Sequence, residues 1–392
     1  MKSIVFMMIN MNVGGTEKAL LNLLNNIDRN KYRVTILMLE RKGGFLNHIP
    51  DWVEVKVVNE YEALRELLND PPQKVALKLI KSGKVIFGIS VLLHYIWCKL
   101  VGEMSVYYRY ILKDIKIIDN NYDIAVAYAG PMDLISYFVL NKIIAKTKIQ
   151  WIHFDINKIN INNKFSRKIF TKFNNLYVVS KSARDNLVER FPEIKDKTEV
   201  FYNIISKEQI ISLSKDGQGF DDDFDGIRIL TVGRLCREKG QDLAIGALEK
   251  LIRAGYKVKW YCVGEGPSRG YYEDIAKSKG IADSFVLLGA TTNPYIYMNE
   301  CDIYVQPSRH EGYCITLAEA RCFSNPIVTT DFSGAREQII DNETGLICTV
   351  DENEIYLSIK KLLDNNKLYS YIKENLYKKN SNNINNSIKV IL

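Results

Sequence analysis

The chain has 392 residues, 47% hydrophobic and 25% charged, with a net charge of +7. This composition excludes a disordered or fibrous protein and leaves room for two domains with separate cores. The seven cysteines, Cys98, Cys236, Cys262, Cys301, Cys314, Cys322 and Cys348, contain no CxxC pair or Cys/His cluster, so neither a zinc site nor a disulfide framework is expected, and the thiols fit a reducing cytoplasm.

The N-terminal run SIVFMMI (3–9) is short, lacks a signal-type cleavage site and leads into Gly14 and Gly15, so it predicts a buried first strand rather than a signal peptide. A helix follows in TEKALLNLLNNI, where Ala19, Leu20, Leu23, Leu24 and Ile27 recur at helical spacing. RVTILML (33–39) predicts the next strand. A less regular middle contains VIFGISVLLHYIWC (85–98), whose 14 apolar-rich residues fall short of the roughly 20 needed to span a bilayer. Strand-and-turn punctuation resumes in YDIAVAYAG (122–130), KIQWIHFD (148–155) and NLYVVSKSARDNLVER (175–190).

Residues 206–226, ending in SLSKDGQGFDDDFDG, read as a linker or exposed loop. The DxD pattern in it matches a known metal and nucleotide-sugar ligand spacing of another transferase architecture, but nothing beside it completes an octahedral site. Beyond it, β-branched runs alternate with amphipathic stretches: IRILTVG (227–233), KVKWYCVG (257–264), SFVLLG (284–289), DIYVQPS (302–308), PIVTT (326–330) and TGLIC (344–348). Such alternation predicts a parallel, doubly wound α/β sheet, which binds ligands at the carboxyl ends of its strands. The expected organisation is a Rossmann-like domain at 1–205, the linker at 206–226, a second such domain at 227–370, and a C-terminal helix and tail at 371–392 that packs back toward the first domain, frayed in its Asn-rich end.

Two stretches carry the chemistry. In SRHEGYCITLAEA (308–320), Glu311 and Glu319 are eight residues apart; on one continuous helix that is about 12 Å of rise, which excludes a close acid/base dyad. The pair grips one elongated ligand at two points or is two unrelated surface charges. With DIYVQPS as strand and CITLAEARCF as helix, the N–H groups of Gly312, Tyr313 and Cys314 and the helix dipole form an anion site between the carboxylates, sized for a diphosphate. In TVGRLCREKG, Arg234 and Lys239 follow the first strand of the second half. Alone they would read as solvated turn residues; beside an anion-ready helix they are suited to a diphosphate leaving group, Arg as a forked donor and Lys as a point charge.

The chain resembles family 4 glycosyltransferases, the large retaining group with the GT-B fold of two Rossmann-like domains around a cleft. The resemblance runs over most of the chain and is carried by Gly14, Gly15 and Glu17; by Gly233, Arg234, Leu235, Glu238, Lys239 and Gly240; by VGEGP (263–267); and by Glu311 and Glu319. It implies that Arg234 and Lys239 hold the donor diphosphate, that Glu319 binds the ribose hydroxyls, and that Glu311 and His153 of WIHFD face the transferred sugar. It also implies that Gly14 and Gly15 form a phosphate- or acceptor-side loop and that Ala290, Thr291 and Thr292 contact the base. One departure stands at Cys314, where glycine is frequent in the family. No cofactor and no metal is expected, the nucleotide sugar, most plausibly a UDP-sugar, being a substrate.

Alternatives of other kinds are a GT-B nucleotide-sugar epimerase and a non-catalytic nucleotide-sugar-binding subunit. The first half carries 30 Lys+Arg against 20 Asp+Glu and the second 23 against 26, an asymmetry that suits nucleic acid, an anionic membrane or a phosphorylated substrate. No RNA- or DNA-binding motif accompanies it, and no nucleic-acid partner is expected. Within 71–113, Lys74, Lys78, Lys81 and Lys84 recur every three or four residues, as on one helix face, beside Val75, Leu77, Leu79, Ile80 and the apolar run with Tyr95 and Trp97. This reads either as a core helix with a solvated lysine face or as a surface resting on an anionic membrane. The second reading places the protein on the cytoplasmic side of the membrane, with a glycan or polyprenyl-diphosphate-linked glycan as acceptor.

Overall fold

A computed structural model describes residues 1–130 and 133–382. Its N-terminal sheet comprises β1 (Lys2–Met8), β2 (Tyr32–Met38), β3 (Glu54–Val57), β4 (Ile118–Gly130), β5 (Ile143–Ile152), β6 (Asn175–Val178) and β7 (Thr198–Val200), in the order β3-β2-β1-β4-β5-β6-β7. Its C-terminal sheet comprises β8 (Ile227–Val232), β9 (Val258–Val263), β10 (Phe285–Gly289), β11 (Ile303–Gln306), β12 (Ile327–Thr330) and β13 (Leu346–Cys348), in the order β10-β9-β8-β11-β12-β13. The paired strands run parallel, and each sheet packs its own apolar core. The continuous apolar runs of β1 and β8 follow from that arrangement, because a central parallel strand is covered by helices on both faces. This is the GT-B architecture. Chain order reverses beside β1 and β4 in one sheet and beside β8 and β11 in the other, which sets a crevice at the carboxyl ends of each pair.

Several sequence expectations need correction. The short strands β3 and β7 had no alternating pattern to announce them; β3 pairs with β2, and β7 with β6. The irregular middle folds as four helices, Tyr61–Asn69, Pro72–Lys81, Val85–Val101 and Ser105–Ile111. Lys84 does not share a helix face with Lys74, Lys78 and Lys81, because Ser82 and Gly83, with Gly83 at φ +83°, end one helix before the next begins.

The expected linker is anchored rather than loose. It contains the helix Lys207–Leu213, Phe220 packs on Tyr261 with ring centroids 4.4 Å apart, and Asp222 accepts hydrogen bonds from Arg228, Lys259 and Tyr261 at 2.9, 2.9 and 2.7 Å. The Asp222 carboxylate is therefore a hub of the C-terminal domain, and Asp225 of the same run pairs with Lys257. Finally, the helix Asn366–Asn382 packs on the C-terminal domain rather than toward the N-terminal one. Ile372 and Leu376 join its core, and the Tyr369 hydroxyl donates to the Asp302 carbonyl at 2.9 Å. The end of the Asn-rich tail, from residue 383, lies outside the described residues.

Candidate active site

The C-terminal half of the site is built by two loops clasped together. Glycines allow the first approach: a Cβ on Gly264, at φ +148°, would sit 2.0 Å from the Gly233 carbonyl oxygen, so only glycine lets VGEGP lie against the loop after β8. The second clasp is ionic. Arg309, after β11, donates to both carboxylate oxygens of Asp242 at 2.8 and 2.6 Å, and its backbone N–H donates to the Glu238 carbonyl at 2.8 Å. A forked guanidinium on a carboxylate fixes orientation as well as distance.

That clasp brings Lys239 to Glu311, Nζ to Oε1, at 2.6 Å. The Ser308 hydroxyl donates to the same Oε1 at 2.8 Å and accepts from Gln306 at 2.8 Å; the Tyr304 hydroxyl donates to Gln306 at 2.7 Å. A buried polar row thus runs from the end of β11 to Glu311 and holds its carboxylate in one orientation. Burial would lower the Lys239 ammonium, but the adjacent Glu311 carboxylate outweighs it and raises Lys239 above its ordinary value. Arg234, one residue beyond Gly233, is exposed and acts electrostatically on Glu17 of the other domain. Burial raises the Glu17 carboxyl, and Arg234 offsets part of that rise.

Glu319 is 2% exposed and accepts from the Tyr295 hydroxyl at 2.7 Å. Burial pushes it up to about 7, against the opposing pull of Lys18 and Tyr295. Lys18 comes from the helix Gly15–Leu24 of the N-terminal domain. Its Nζ lies 5.3 Å from the centre of the Tyr295 ring and 5.8 Å from that of Phe45. Burial lowers this ammonium, and Glu319 opposes the shift. Thr291 and Thr292, half-buried, and Ala290, exposed, lie in the short loop from β10 to Tyr295.

The N-terminal half presents His153 just past β5. Burial holds its imidazole down to about 3, so it is neutral at pH 7, and its buried Nε2 has no hydrogen-bond partner. The ring meets Tyr128 edge-on at 4.6 Å. At Gly312 the domains approach closely: a Cβ there would lie 2.2 Å from the His153 carbonyl oxygen. The Gly312 carbonyl accepts from Ser180 at 2.9 Å. The side chain of Tyr313 packs against the N-terminal core, 5.8 Å from the Tyr202 ring, so it joins the domains. Gly14 and Gly15 lie across the cleft; a Cβ on Gly15 would rest 3.4 Å from Ile315.

The helix after Glu311 spans only Ile315–Ala320, shorter than the sequence pattern implied. Its dipole is correspondingly small, so the charge here is supplied mainly by Arg234 and Lys239. Cys314, at its N-terminus, has φ +66°. Glycine occupies such left-handed positions without strain, which is the physical reason it is favoured there, and a cysteine bears a cost of about 1 kcal/mol.

The family model "Glycosyl transferases group 1" matches residues 220–379. The matched segment contains Arg234, Lys239, Glu311 and Glu319. Among curated relatives, the chain is 34% identical over 191 residues, 48% of this chain and 50% of the other, to N-acetylgalactosamine-N,N'-diacetylbacillosaminyl-diphospho-undecaprenol 4-alpha-N-acetylgalactosaminyltransferase from Campylobacter jejuni. It is 25% identical over 163 residues, 40% of this chain and 42% of the other, to the capsular polysaccharide biosynthesis glycosyltransferase CapM from Staphylococcus aureus. The matched segments thus span half or less of these relatives' lengths. Solved structures match over nearly the whole chain: TarM from S. aureus at TM-score 0.69 and 15% identity, covering 98% of this chain and 96% of that one, and Anabaena HepE in complex with UDP at 0.65 and 17%, covering 97% and 95%. At these identities the likeness establishes the shared fold.

The structure brings Lys239 to Glu311, Gly312 to His153 and Gly15 to Ile315. It adds three residues that the pattern did not single out. Lys18 follows Glu17 directly, and that adjacency was the available signal. Tyr295 sits in a run of tyrosines that gave none. Glu337 accepts from the backbone N–H groups of Lys181 and Ser182 at 3.0 and 2.9 Å and from the Tyr202 hydroxyl at 3.0 Å, tying the C-terminal domain to the N-terminal one.

Proposed function

We propose that the chain is a retaining glycosyltransferase that moves a sugar from a UDP-sugar to a saccharide carried on polyprenyl diphosphate, in bacterial surface-polysaccharide synthesis on the cytoplasmic side of the membrane. The observation that carries this reading is the convergence of Arg234 and the Lys239–Glu311 pair, 2.6 Å apart, on a cleft closed from the other side by His153. As the bond from the anomeric carbon to the diphosphate breaks, negative charge grows on the departing phosphate oxygens. Arg234 and Lys239 are positioned to meet it there. The acceptor oxygen bonds to the same face of that carbon, and its proton passes to the leaving phosphate. Neutral His153, with Nε2 free of protein partners, is suited to hydrogen-bond a sugar hydroxyl, and Glu319 to accept from the ribose. Ala290, Thr291 and Thr292 would border the base, and the Gly14–Gly15 loop the acceptor.

The UDP part of the reading is supported by HepE, solved with UDP, and the acceptor class by the diphospho-undecaprenol named for the Campylobacter relative. The test is product NMR after incubating the chain with UDP-sugars and a polyprenyl-diphosphate saccharide. An α-linked product formed in EDTA is expected. An epimerised nucleotide sugar without transfer, an inverted linkage, or turnover that returns only with Mn²⁺ or Mg²⁺ would overturn the respective part.

A further inference from the structure

The helix Val85–Val101 is about 25 Å long and packs on the protein along one side only. Gly88, Val91 and Cys98 are buried there; a Cβ on Gly88 would meet the Ala76 carbonyl at 2.8 Å, so the helix Pro72–Lys81 lies tight against it. The other side exposes Ile86, Ile89, Leu93, Ile96, Trp97 and Leu100, with Ile86 at 87%, Leu93 at 60% and Leu100 at 78%. Their spacing of three and four residues makes one continuous row, and a row of large apolar groups on one face marks an interaction surface rather than scattered exposure.

Charge indicates what covers it. From residue 71 to 102 the chain has five lysines and no Asp or Glu. Lys74 and Lys78 are taken up by Asp70 and Glu66, at 3.8 and 2.6 Å. Lys81, Lys84 and Lys99 remain exposed, two before the apolar row and one near its end. A second copy of this chain would set these lysines against each other with no acidic counterpart in the segment. Anionic lipid offers both an apolar layer and a plane of negative charge. Trp97 near the end of the row suits that boundary. No helix among the described residues is long and apolar enough to cross a membrane, so this one would lie in the surface.

We propose that the helix Val85–Val101 rests in the headgroup layer of an anionic bilayer, with the row from Ile86 to Leu100 among the acyl chains and Lys81, Lys84 and Lys99 at the lipid phosphates. Its C-terminal end is tied to the helix Asn163–Phe170, from which Lys164 donates to the Val101 carbonyl at 2.8 Å. Docking in this pose holds the N-terminal side of the cleft near the surface where a lipid-linked acceptor lies. The purpose rests on the function proposed above; the docking does not.

The test is co-sedimentation of the full chain with phosphatidylcholine vesicles and with vesicles containing about 30% phosphatidylglycerol, at about 0.1 M salt. The chain should partition to the anionic vesicles. Leu93→Glu with Leu100→Glu should lower that partitioning at least tenfold, and Lys81→Gln, Lys84→Gln and Lys99→Gln together on the order of a hundredfold on anionic vesicles alone. All substituted side chains are exposed, and circular dichroism checks that the variants fold. Wild-type protein left in the supernatant, or glutamate variants that sediment like wild type, would overturn the proposal. So would a dimer in solution that those glutamates dissolve, which would assign the row to a second copy. Sugar transfer to a detergent-dispersed acceptor should be unchanged in the glutamate variants. Transfer lost in wild type with vesicle binding intact would defeat the enzymatic reading and leave this one standing.

Discussion

Replacing Lys239 with Met tests the core of the site, because it separates a charge that stabilises the fold from one that serves the reaction. In the wild type, Lys239 and Glu311 are 2.6 Å apart with side chains 23% and 10% exposed. Removing one partner leaves Glu311 as a nearly buried carboxylate that keeps the Ser308 hydroxyl as donor but loses its cation. Breaking a buried pair in this way costs about 3–5 kcal/mol, and the residual exposure of Lys239 places the effect near the lower end. For a domain of this size, about 3 kcal/mol lowers Tm by roughly 6–12 °C. Glu311→Gln removes the charge that needs the lysine, so the double variant should be more stable than the sum of the single losses allows, with a coupling of about 2 kcal/mol or more. Turnover should not be rescued in parallel: Lys239→Met should lose at least about 10²-fold, as for removal of one transition-state charge donor. The assays are thermal unfolding of the four proteins of the cycle and initial transfer rates. A Lys239→Met protein that melts with the wild type, or stability losses that simply add, would refute the pairing; a near-normal rate would refute the catalytic role.

Glu319 gives a pH prediction. Its folded value of about 7 lies above the unfolded carboxylate value of roughly 4.3, so folding favours the protonated form; that stabilisation is full below the unfolded value and is lost as pH rises through about 7. Ribose binding wants the ionised form, so donor affinity should rise roughly tenfold from pH 6 to 8, measured by calorimetry, and Glu319→Gln should be weaker and flat with pH. Lys18→Ala should raise donor KM more than it lowers kcat, since Lys18 lies beside Tyr295 and Glu319, the residue proposed to bind the ribose. Cys314→Gly should keep activity and change stability by no more than about 1 kcal/mol, relief of the left-handed strain offsetting the lost thiol packing, as read by thermal melts. Glu337→Ala should loosen the domain contact, seen as a larger radius of gyration in solution scattering, because three donors of the N-terminal domain lose their acceptor.

The central strands were legible because a parallel sheet covered on both faces needs unbroken apolar runs, and β1, β8, β9 and β11 have them. The short edge strands were not: β3 and β7 have four and three residues, too few for a pattern. Arg234, His153 and Glu311 stood out because each lies in the loop after a strand, where a doubly wound sheet places its ligands. The contacts among them could not. Nothing in the spacing says that Arg309 grips Asp242, yet that clasp sets Lys239 on Glu311. The burial that neutralises His153 likewise depends on Tyr128 and on Gly312 from the other domain. The lysine stripe misled because its spacing runs through Gly83, whose backbone stops the helix.

The most direct measurement is transfer of labelled sugar from a panel of UDP-sugars to a polyprenyl-diphosphate-linked saccharide, run side by side with the wild type, Arg234→Ala and Glu311→Gln. Label should enter the lipid-linked product with the anomeric configuration of the donor, and both variants should fall at least about 10²-fold while remaining folded. Undiminished transfer in the two variants, or labelled product of inverted configuration, would contradict the account.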